Sequence, residues 1–184
     1  MTLSKEELIR YNRQIILPDF GTSGQVKLKA SKVLIVGAGG LGIPNLQYLT
    51  GAGMGKIGII DFDEISLTNL QRQVLFNTSD VGESKAAVAA ARLEKLNPET
   101  VFKVYKEQLS SLNAMAIIAD YDLVIDGSDN LPTRYLVNDA CVFLGKPLLY
   151  GAIFRYEGQL SVFNQLLEDG SRGPNYRDLF PSPP

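Results

Sequence analysis

The sequence predicts an α/β fold, with a doubly wound, mostly parallel β-sheet, helices on both faces and an antiparallel extension at one edge. Short apolar runs rich in β-branched residues alternate with helix-length segments along the chain. The first run, residues 33–36, leads into glycines with the spacing G-x-G-x-x-G, at Gly37, Gly39 and Gly42. The last run, residues 157–163, follows its predecessor without a helix-length crossover, so we expect it to be antiparallel.

Residues 1–30 are predicted to form a helical arm in front of the sheet. Ser4 and Glu7 have the spacing of a capping box, which predicts a helix from there to about Gln14. A turn-rich connection then leads to a second short helix at the end of the arm. Taken alone, the polar cluster at residues 10–13 is interpreted as the solvated face of this arm.

Residues 31–166 are predicted to form the α/β domain. Residues 167–184, rich in Gly, Pro and Ser, are interpreted as a loop or linker without helix or strand. After the first strand, the predicted elements are helix 43–50, strand 57–61, helix 83–96, strand 101–105, helix 112–119, strand 121–126, helix 132–144, strand 147–150 and strand 157–163.

The glycine motif indicates a nucleotide-binding turn of the kind found in Rossmann-like folds. Gly37 would allow a tight turn, Gly39 would leave the backbone open to a phosphate, and Gly42 would let the helix pack closely on the strand. The next predicted strand ends in Asp61, at the distance of about twenty residues where such folds hold a ribose hydroxyl. The sequence therefore predicts a nucleotide at the N-terminus of the helix after the motif.

Composition and charge exclude several classes of protein. Apolar residues make up 45% and charged residues 21% of the chain, which is typical of one globular domain. The net charge of −2 provides no basic field for nucleic acid or membrane, and no apolar run approaches a membrane span. Without a signal-peptide pattern and with one cysteine, Cys141, the protein is expected to be cytoplasmic. The absence of histidine excludes a Ser-His-Asp triad and a His-liganded zinc within this sequence.

Cations and carboxylates near the predicted strand ends favour phosphate chemistry over hydride transfer. Segment 62–80 is a long polar connection without clear periodicity, and such connections inside a compact domain are more often functional than merely connecting. Asp126 and Asp129 could bind Mg²⁺, which prefers carboxylate and phosphate oxygens. A dehydrogenase would need an acid–base group, often a histidine, which the sequence lacks. The cations available to neutralise phosphate charge are Arg13, Arg72, Lys85 and Arg134.

Six motifs follow one another along almost the whole chain. They are Arg10-Tyr11-Asn12-Arg13-Gln14, Gly37-Ala38-Gly39-Gly40-Leu41-Gly42, Asp61-Phe62-Asp63, Ser66-Leu67-Thr68-Asn69-Leu70-Gln71-Arg72-Gln73, Val81-Gly82-Glu83-Ser84-Lys85 and Asp126-Gly127-Ser128-Asp129-Asn130. In this order they resemble the motifs of the MoeB/ThiF/HesA family, whose members are related to the ubiquitin-activating enzymes. Together they are far more specific than the glycine motif alone.

The resemblance implies an adenylyltransferase that uses ATP and Mg²⁺. Such enzymes adenylate the C-terminal glycine carboxylate of a ubiquitin-like sulfur-carrier protein ending in Gly-Gly, and they release pyrophosphate. The carrier would serve molybdopterin or thiamin-thiazole synthesis, and we favour the molybdopterin branch. The resemblance also implies a homodimer in which Arg13 reaches the ATP of the partner subunit, as an arginine finger does elsewhere. This reverses the interpretation of the arm as a solvated face.

The resemblance assigns a role to each residue of the predicted site. The catalytic groups would be Arg13, Arg72, Lys85 and Asp129. The nucleotide would be bound by Gly37, Gly39, Gly40 and Gly42 in the loop, Asp61 at the ribose hydroxyls, Asn69, Arg72 and Lys85 at the phosphates, Asn130 beside the adenosine, and Asp63 and Gln71 nearby. Mg²⁺ would be bound by Asp129.

The sequence departs from the family pattern in one respect. Many relatives bind a structural zinc with two Cys-x-x-Cys pairs, but Asn175 and Asp178 occupy the positions of the first pair. Because these side chains are poor substitutes for thiolates, we predict no zinc site. We expect the chain to be a fragment, since the relatives continue beyond this point. Arg134 and Asn138 are assigned supporting or helix-capping roles, and Cys141 a place in the core.

Three other functions remain open at this point. The glycine motif is also compatible with an NAD-dependent oxidoreductase. A family member could activate a tRNA or a peptide in place of a carrier protein. A fragment could also bind ATP without catalysing any reaction. Release of pyrophosphate that depends on the carrier, without dinucleotide binding, would distinguish the adenylyltransferase from the others.

Overall fold

The computed structural model describes residues 2–182, and its six-stranded sheet confirms the predicted fold class. The strands are β1 (Lys32–Val36), β2 (Lys56–Ile60), β3 (Val101–Tyr105), β4 (Leu123–Asp126), β5 (Leu148–Phe154) and β6 (Glu157–Phe163). They lie in the order β3-β2-β1-β4-β5-β6, which is the strand order of a doubly wound nucleotide-binding sheet. β1 to β5 pair in parallel, and β6 pairs antiparallel to β5 as the short connection predicted.

Helices cover both faces of the sheet, and each face has its own apolar core. The helices are α1 (Lys5–Arg10), α2 (Asn12–Ile15), α3 (Gly21–Ala30), α4 (Gly42–Ala52), α5 (Lys85–Leu96), α6 (Ala114–Ala119), α7 (Leu131–Leu144) and α8 (Tyr176–Leu179). Helices α4 and α5 pack on one face, where Ile35 and Ile59 are buried. Helices α6, α7 and α8 pack on the other face, around Leu34 and Val124. Alternate residues of the buried parallel strands therefore serve different cores.

Cys141 lies in the second core, as predicted. Its side chain is fully buried on α7, and the residue forms no disulfide. Burial raises the pKa of the Cys141 thiol to about 12, so the thiol is uncharged at neutral pH.

The N-terminal arm differs from the prediction in two places: α3 begins at Gly21, inside the predicted turn-rich connection, and the first helix is broken at one residue. The capping box of Ser4 and Glu7 is present, but the helix ends at Arg10 and restarts at Asn12. The break is Tyr11, which has φ −98° and ψ 11° and whose side chain is buried to 3% exposure. The Tyr11 side chain turns inward, and its hydroxyl accepts a hydrogen bond from Asn97, which is distant in sequence. This tertiary contact overrides the local helix pattern.

The tail also differs from the prediction, because it contains helix α8. Asn175 and Asp178 form a capping box at the start of this helix. Tyr176 is 3% exposed and packs against the rings of Tyr135, Tyr150 and Phe180. This helix is a single turn, and it is stabilised by aromatic packing and not by the helix propensity of its own residues. Local composition could therefore indicate only a loop.

Within residues 2–182, none of the helices has the length and apolarity needed to cross a bilayer.

Candidate functional site

A cavity of about 700 Å³ opens at the carboxyl ends of β1, β2 and β4. This volume lies in the usual range for small-molecule pockets, and in this type of sheet ligands bind at that edge. The cavity is lined by the glycine loop, by the polar segment after β2, by the loop after β4 and by the loop before α6. The predicted site residues on its wall are Gly37, Gly39, Gly40, Asp61, Asp63, Asn69, Arg72, Lys85, Asp129 and Asn130.

The glycine loop leaves backbone groups open to the cavity, as the motif predicts. Gly37 adopts φ +90°, a left-handed conformation that favours glycine. The first turn of α4 has no side-chain cap, but Ile43 N–H donates to the Gly39 carbonyl at 3.0 Å and Pro44 has no N–H. The donors open to an anion are therefore the N–H groups of loop residues 39–42, which donate to no group within residues 2–182. Gly42 does not line the cavity. A Cβ at that position would lie 1.8 Å from the Gly37 carbonyl oxygen, which is why the helix needs glycine there.

We expect Gly42→Ala to lower the free energy of unfolding by about 2 kcal/mol or more, since the clash is with backbone and the loop must move. ATP affinity should fall with it. The matched control is Gly51→Ala in the same helix, where an added Cβ meets no atom within 4 Å. That change should leave stability unchanged or raise it by up to ~1 kcal/mol. Urea unfolding measures both, and equal losses in the two variants would contradict this account of the loop.

Asp61 is largely buried at the end of β2, and backbone groups hold its carboxylate. Oδ2 accepts a hydrogen bond of 2.7 Å from the Ala38 N–H, and Oδ1 accepts one of 2.8 Å from the Asp63 N–H. Burial raises the pKa of the Asp61 carboxyl, against the lowering effect of these two hydrogen bonds and of Lys85. Asp61 lines the cavity, where the predicted ribose contact requires an acceptor.

Lys85 is a buried cation beside this carboxylate. It is 5% exposed, and its Nζ donates a hydrogen bond of 2.7 Å to Asp63 Oδ2. The backbone also joins the two residues, because the Lys85 N–H donates to the Asp63 carbonyl at 3.1 Å. Lys85 is the first residue of α5, where the helix dipole disfavours a positive charge. An anion in the cavity would compensate for this unfavourable position.

Arg72 and Gln73 lie against the glycine loop. A Cβ on Gly40 would lie 3.3 Å from Arg72 Cδ, and one on Gly39 would lie 3.7 Å from Gln73 Nε2. The Arg72 and Gln73 N–H groups both donate to the Asn69 carbonyl, at 3.1 and 3.0 Å, which folds the segment back over the loop. This turn brings Asn69 and Arg72 to the cavity wall, as the resemblance implied.

Gln71 lies off the cavity wall, and its predicted role in binding nucleotide stays a prediction. It was predicted to bind nucleotide, but it is exposed and is absent from the cavity wall among the described residues, whereas Gln73 is buried there. The reason is the direction of the turn after Asn69, which no local sequence pattern specifies. Gln73 also has a buried side-chain oxygen, Oε1, without a hydrogen-bonding partner in the described part of the chain.

The end of β4, the loop after it and the start of α7 contribute further unpartnered polar atoms at or beside the cavity. Asp126 Oδ2, Ser128 Oγ and Arg134 Nε are buried and lack a hydrogen-bonding partner within residues 2–182. The Arg134 guanidinium also donates to the Ser128 carbonyl at 3.2 Å and lies over the ring of Tyr150, 5.5 Å from its centroid. Buried polar atoms without partners are uncommon and indicate a site that binds a ligand or water.

We expect the stability contributed by Asp126 to fall as pH rises. Burial raises the pKa of the Asp126 carboxyl above its ordinary value of 3.8, against weaker lowering effects from Ser128 and Arg134. The folded protein therefore keeps this proton to a higher pH than the unfolded chain does. As a result, the free energy of unfolding decreases as the pH rises above the ordinary pKa of 3.8.

The Asp126→Asn variant removes this dependence but keeps the oxygen that accepts the Ser128 N–H. Its free energy of unfolding relative to the original protein should increase between about pH 4 and pH 7, as measured by urea titration at each pH. A difference that stays constant over this range would contradict the argument.

Asp129 and Asn130 lie at the rim of the cavity. Asn130 caps α7, since its Oδ1 accepts a hydrogen bond of 3.0 Å from the Thr133 N–H. Asp129 is exposed and forms no ion pair among the described residues. No group of three or more metal-ligating side chains occurs within residues 2–182. One exposed carboxylate would suit Mg²⁺ only together with substrate phosphates, since this ion binds through one or two carboxylates and phosphate oxygens.

Arg13 lies away from this cavity. It is exposed on α2 and is not part of the cavity wall within one chain. Its predicted role across a dimer stays a prediction. The predicted absence of zinc also stays a prediction, although Asn175 and Asp178 take part in the cap of α8.

Several residues of the cavity wall were missed or undervalued at the sequence level. Gln73 and Ser128 stand inside quoted motifs, and Arg134 was assigned only a supporting role. Residues 107–109, before α6, and Ile153, on β5, carried no signal in the sequence, because they reach the cavity only through the pairing of distant strands.

Comparisons with known proteins agree with the geometry. A profile of the ThiF family matches residues 11–184. A sulfur carrier protein adenylyltransferase of Thermus thermophilus is 55% identical over 184 residues, which is 100% of this chain and 68% of that protein. The adenylyltransferase and sulfurtransferase MOCS3 of Anopheles gambiae is 50% identical over 182 residues, 99% of this chain but 40% of that protein. The chain thus spans only part of these relatives.

Solved structures show the same fold with a nucleotide. The tRNA N6-threonylcarbamoyladenosine dehydratase TcdA of E. coli, solved in complex with ATP, aligns with a TM-score of 0.78 and 26% identity. The alignment covers 84% of this chain and 65% of that one.

Proposed function

The chain belongs to the ThiF family, and on this premise we propose that it adenylates the C-terminal glycine carboxylate of a ubiquitin-like sulfur-carrier protein. ATP would be the second substrate and pyrophosphate the product. The observation that carries the proposal is the convergence of Arg72, Lys85 and the open backbone N–H groups of the glycine loop on one cavity. The naming of similar proteins as sulfur carrier adenylyltransferases supports the choice of substrate.

The proposed reaction needs this concentration of positive charge. A carboxylate oxygen attacks the α-phosphorus of ATP, the bond to the bridging oxygen of the β-phosphate breaks, and pyrophosphate leaves with that electron pair. An anion must therefore approach a polyanion, and the repulsion is prohibitive without compensation. Arg72 and Lys85 would lower it, and the orphan N–H groups of the glycine loop would hold the phosphates. Asp61 would accept hydrogen bonds from the ribose hydroxyls.

Mg²⁺ would be held by Asp129 together with the phosphates of ATP. When bound, the ion would neutralise charge on the phosphate oxygens. Asn130 would keep the Asp129 loop in place, since it caps α7 directly after that residue.

A protein substrate also fits the surface beside the cavity. Ile153 lines the cavity and is 66% exposed at the end of β5. The register of β5 and β6 places Leu160 and Val162 on the same side of the sheet, and both are exposed. We propose that this apolar ridge, Ile153, Leu160 and Val162, docks the body of the carrier while its Gly-Gly tail enters the cavity.

We expect Leu160→Asp to raise the KM for the carrier about tenfold or more and to leave the KM for ATP unchanged. Leu160 is 87% exposed, so the fold does not depend on its side chain, but a carboxylate would oppose an apolar partner. Steady-state kinetics with each substrate varied in turn measure this. A change of similar size in the KM for ATP would contradict the assignment of the ridge to the carrier.

A homodimer with Arg13 reaching the partner's ATP is part of the proposal. The arm exposes apolar side chains that a second copy would cover, with Ile9 70%, Ile16 59% and Leu17 54% exposed. We propose a cytoplasmic location, in keeping with a single buried cysteine. Of molybdopterin and thiamin-thiazole synthesis, we favour molybdopterin synthesis as the pathway that the carrier serves.

ATP–pyrophosphate exchange tests the proposed function. The 184-residue chain should exchange labelled pyrophosphate into ATP only when a carrier ending in Gly-Gly is present. The same carrier without its two terminal glycines is the control. Exchange stimulated by tRNA or a short peptide would favour a different substrate. Binding of NAD without exchange would favour the oxidoreductase, and ATP binding without exchange would favour a non-catalytic fragment.

A further inference from the structure

The arm is anchored by polar side chains to the C-terminal ends of two helices, α4 and α5. Gln14 Nε2 donates to the Ala52 carbonyl at 2.8 Å. Asn97 Nδ2 donates to the Thr50 carbonyl at 2.7 Å and to the Tyr11 hydroxyl at 2.8 Å. The last carbonyls of a helix have no partner within it, so side chains that reach them act as caps.

The anchoring atoms are shielded from water. Tyr11 is 3% exposed, Gln25 and Asn97 are fully buried, and Gln25 both accepts from Gln14 and donates to the Ala52 carbonyl. Gly53 makes room for this arrangement, because a Cβ there would lie 2.6 Å from both Gln25 and Tyr11. Buried hydrogen bonds of this kind restrict the orientation of the groups that they join as well as the distance between them, whereas apolar packing alone does not fix the orientation.

The two anchors determine where Arg13 points. Tyr11, directly before α2, and Gln14, within it, both reach the helix ends through their hydrogen bonds. Arg13 lies between them in sequence, within the single turn of α2. Arg13 is exposed and forms no ion pair within residues 2–182. The direction of its side chain therefore depends on how the anchors Tyr11 and Gln14 hold the backbone on either side of it.

The same two helices also form the phosphate site. α4 begins at the glycine loop and α5 begins at Lys85, so their opposite ends hold the arm. We infer that Tyr11, Gln14 and Asn97 are positioning residues that set Arg13 at a fixed direction relative to the nucleotide sites of the dimer. This inference rests on the proposed function, in which Arg13 acts on the partner's ATP.

Kinetics with double mutants test the inference. Tyr11→Phe and Gln14→Leu should each lower kcat for carrier-dependent exchange about tenfold, with little change in the KM for the carrier. In an Arg13→Ala background the same changes should have no further effect, since the group they position is gone. The control is Thr100→Val, which removes another buried hydrogen bond in this region, from Thr100 to the Met54 carbonyl, without touching the arm. It should lower stability but not kcat.

Tryptic cleavage after Arg13 gives a readout that does not depend on activity. Tyr11→Phe and Gln14→Leu should accelerate cleavage at this bond severalfold, and Thr100→Val should not. Unchanged cleavage, or an equal loss of kcat with and without Arg13, would overturn the inference and leave the proposed function intact. Full activity of Arg13→Ala would overturn the role of Arg13 itself and the inference with it. Absence of exchange in the unsubstituted protein would instead count against the proposed function.

Discussion

The Lys85→Met variant is expected to lose at least about a hundredfold in kcat/KM for carrier-dependent ATP–pyrophosphate exchange. Lys85 is buried in the cavity wall at the N-terminus of α5, and its only ion-pair partner within residues 2–182 is Asp63. Methionine keeps the apolar length of the side chain but removes the charge that opposes phosphate repulsion. The Asp63 side chain is 50% exposed, so water can solvate its carboxylate and the fold should survive.

The matched control is Lys95→Met, at the other end of α5, where the lysine is exposed. Exchange should be unchanged in this variant, and circular dichroism should show both variants folded. Near-normal exchange in Lys85→Met would contradict the proposal that Lys85 is the main cation at the phosphates.

Replacing Asp129 should have an effect of similar size. Asp129→Ala is expected to lower exchange by about a hundredfold or more at ordinary Mg²⁺ concentrations, with partial recovery as Mg²⁺ is raised. The side chain is exposed at the cavity rim and the adjacent cap is made by Asn130, so thermal unfolding should be little changed. Exchange measured over a Mg²⁺ titration separates loss of the metal from loss of the fold.

An exposed carboxylate on α5, Glu94, provides the comparison through Glu94→Gln. That change should alter neither exchange nor its Mg²⁺ dependence. If Asp129→Ala showed the Mg²⁺ dependence of the unsubstituted protein, the metal would have to be assigned to another residue.

The sheet could be predicted from the sequence because its strands are buried, apolar and separated by helix-length segments. The bounds of β3 and β6 match the structure residue for residue. The break at Tyr11 and the helix at Tyr176 could not be predicted, since both depend on side chains that are distant in sequence. Asn97 accounts for the first, and the rings of Tyr135 and Tyr150 account for the second.

The site was predictable where a motif fixes the backbone, and less so where a turn sets the direction of a side chain. Gly37 and Asp61 lie where the glycine motif and its spacing placed them. In the segment after β2, the family motif led to Gln71, whereas the turn after Asn69 directs Gln73 into the cavity. Ser128 and Arg134 drew attention only through their unpartnered buried atoms in the folded chain.

A crystal structure with Mg²⁺ and a non-hydrolysable ATP analogue tests the central claim most directly. The account predicts the phosphates between Gly40, Arg72 and Lys85, with a ribose hydroxyl on Asp61 and the metal ion bound to Asp129. A nucleotide whose phosphates lay away from Arg72 and Lys85 would contradict it, whatever else the protein were found to bind.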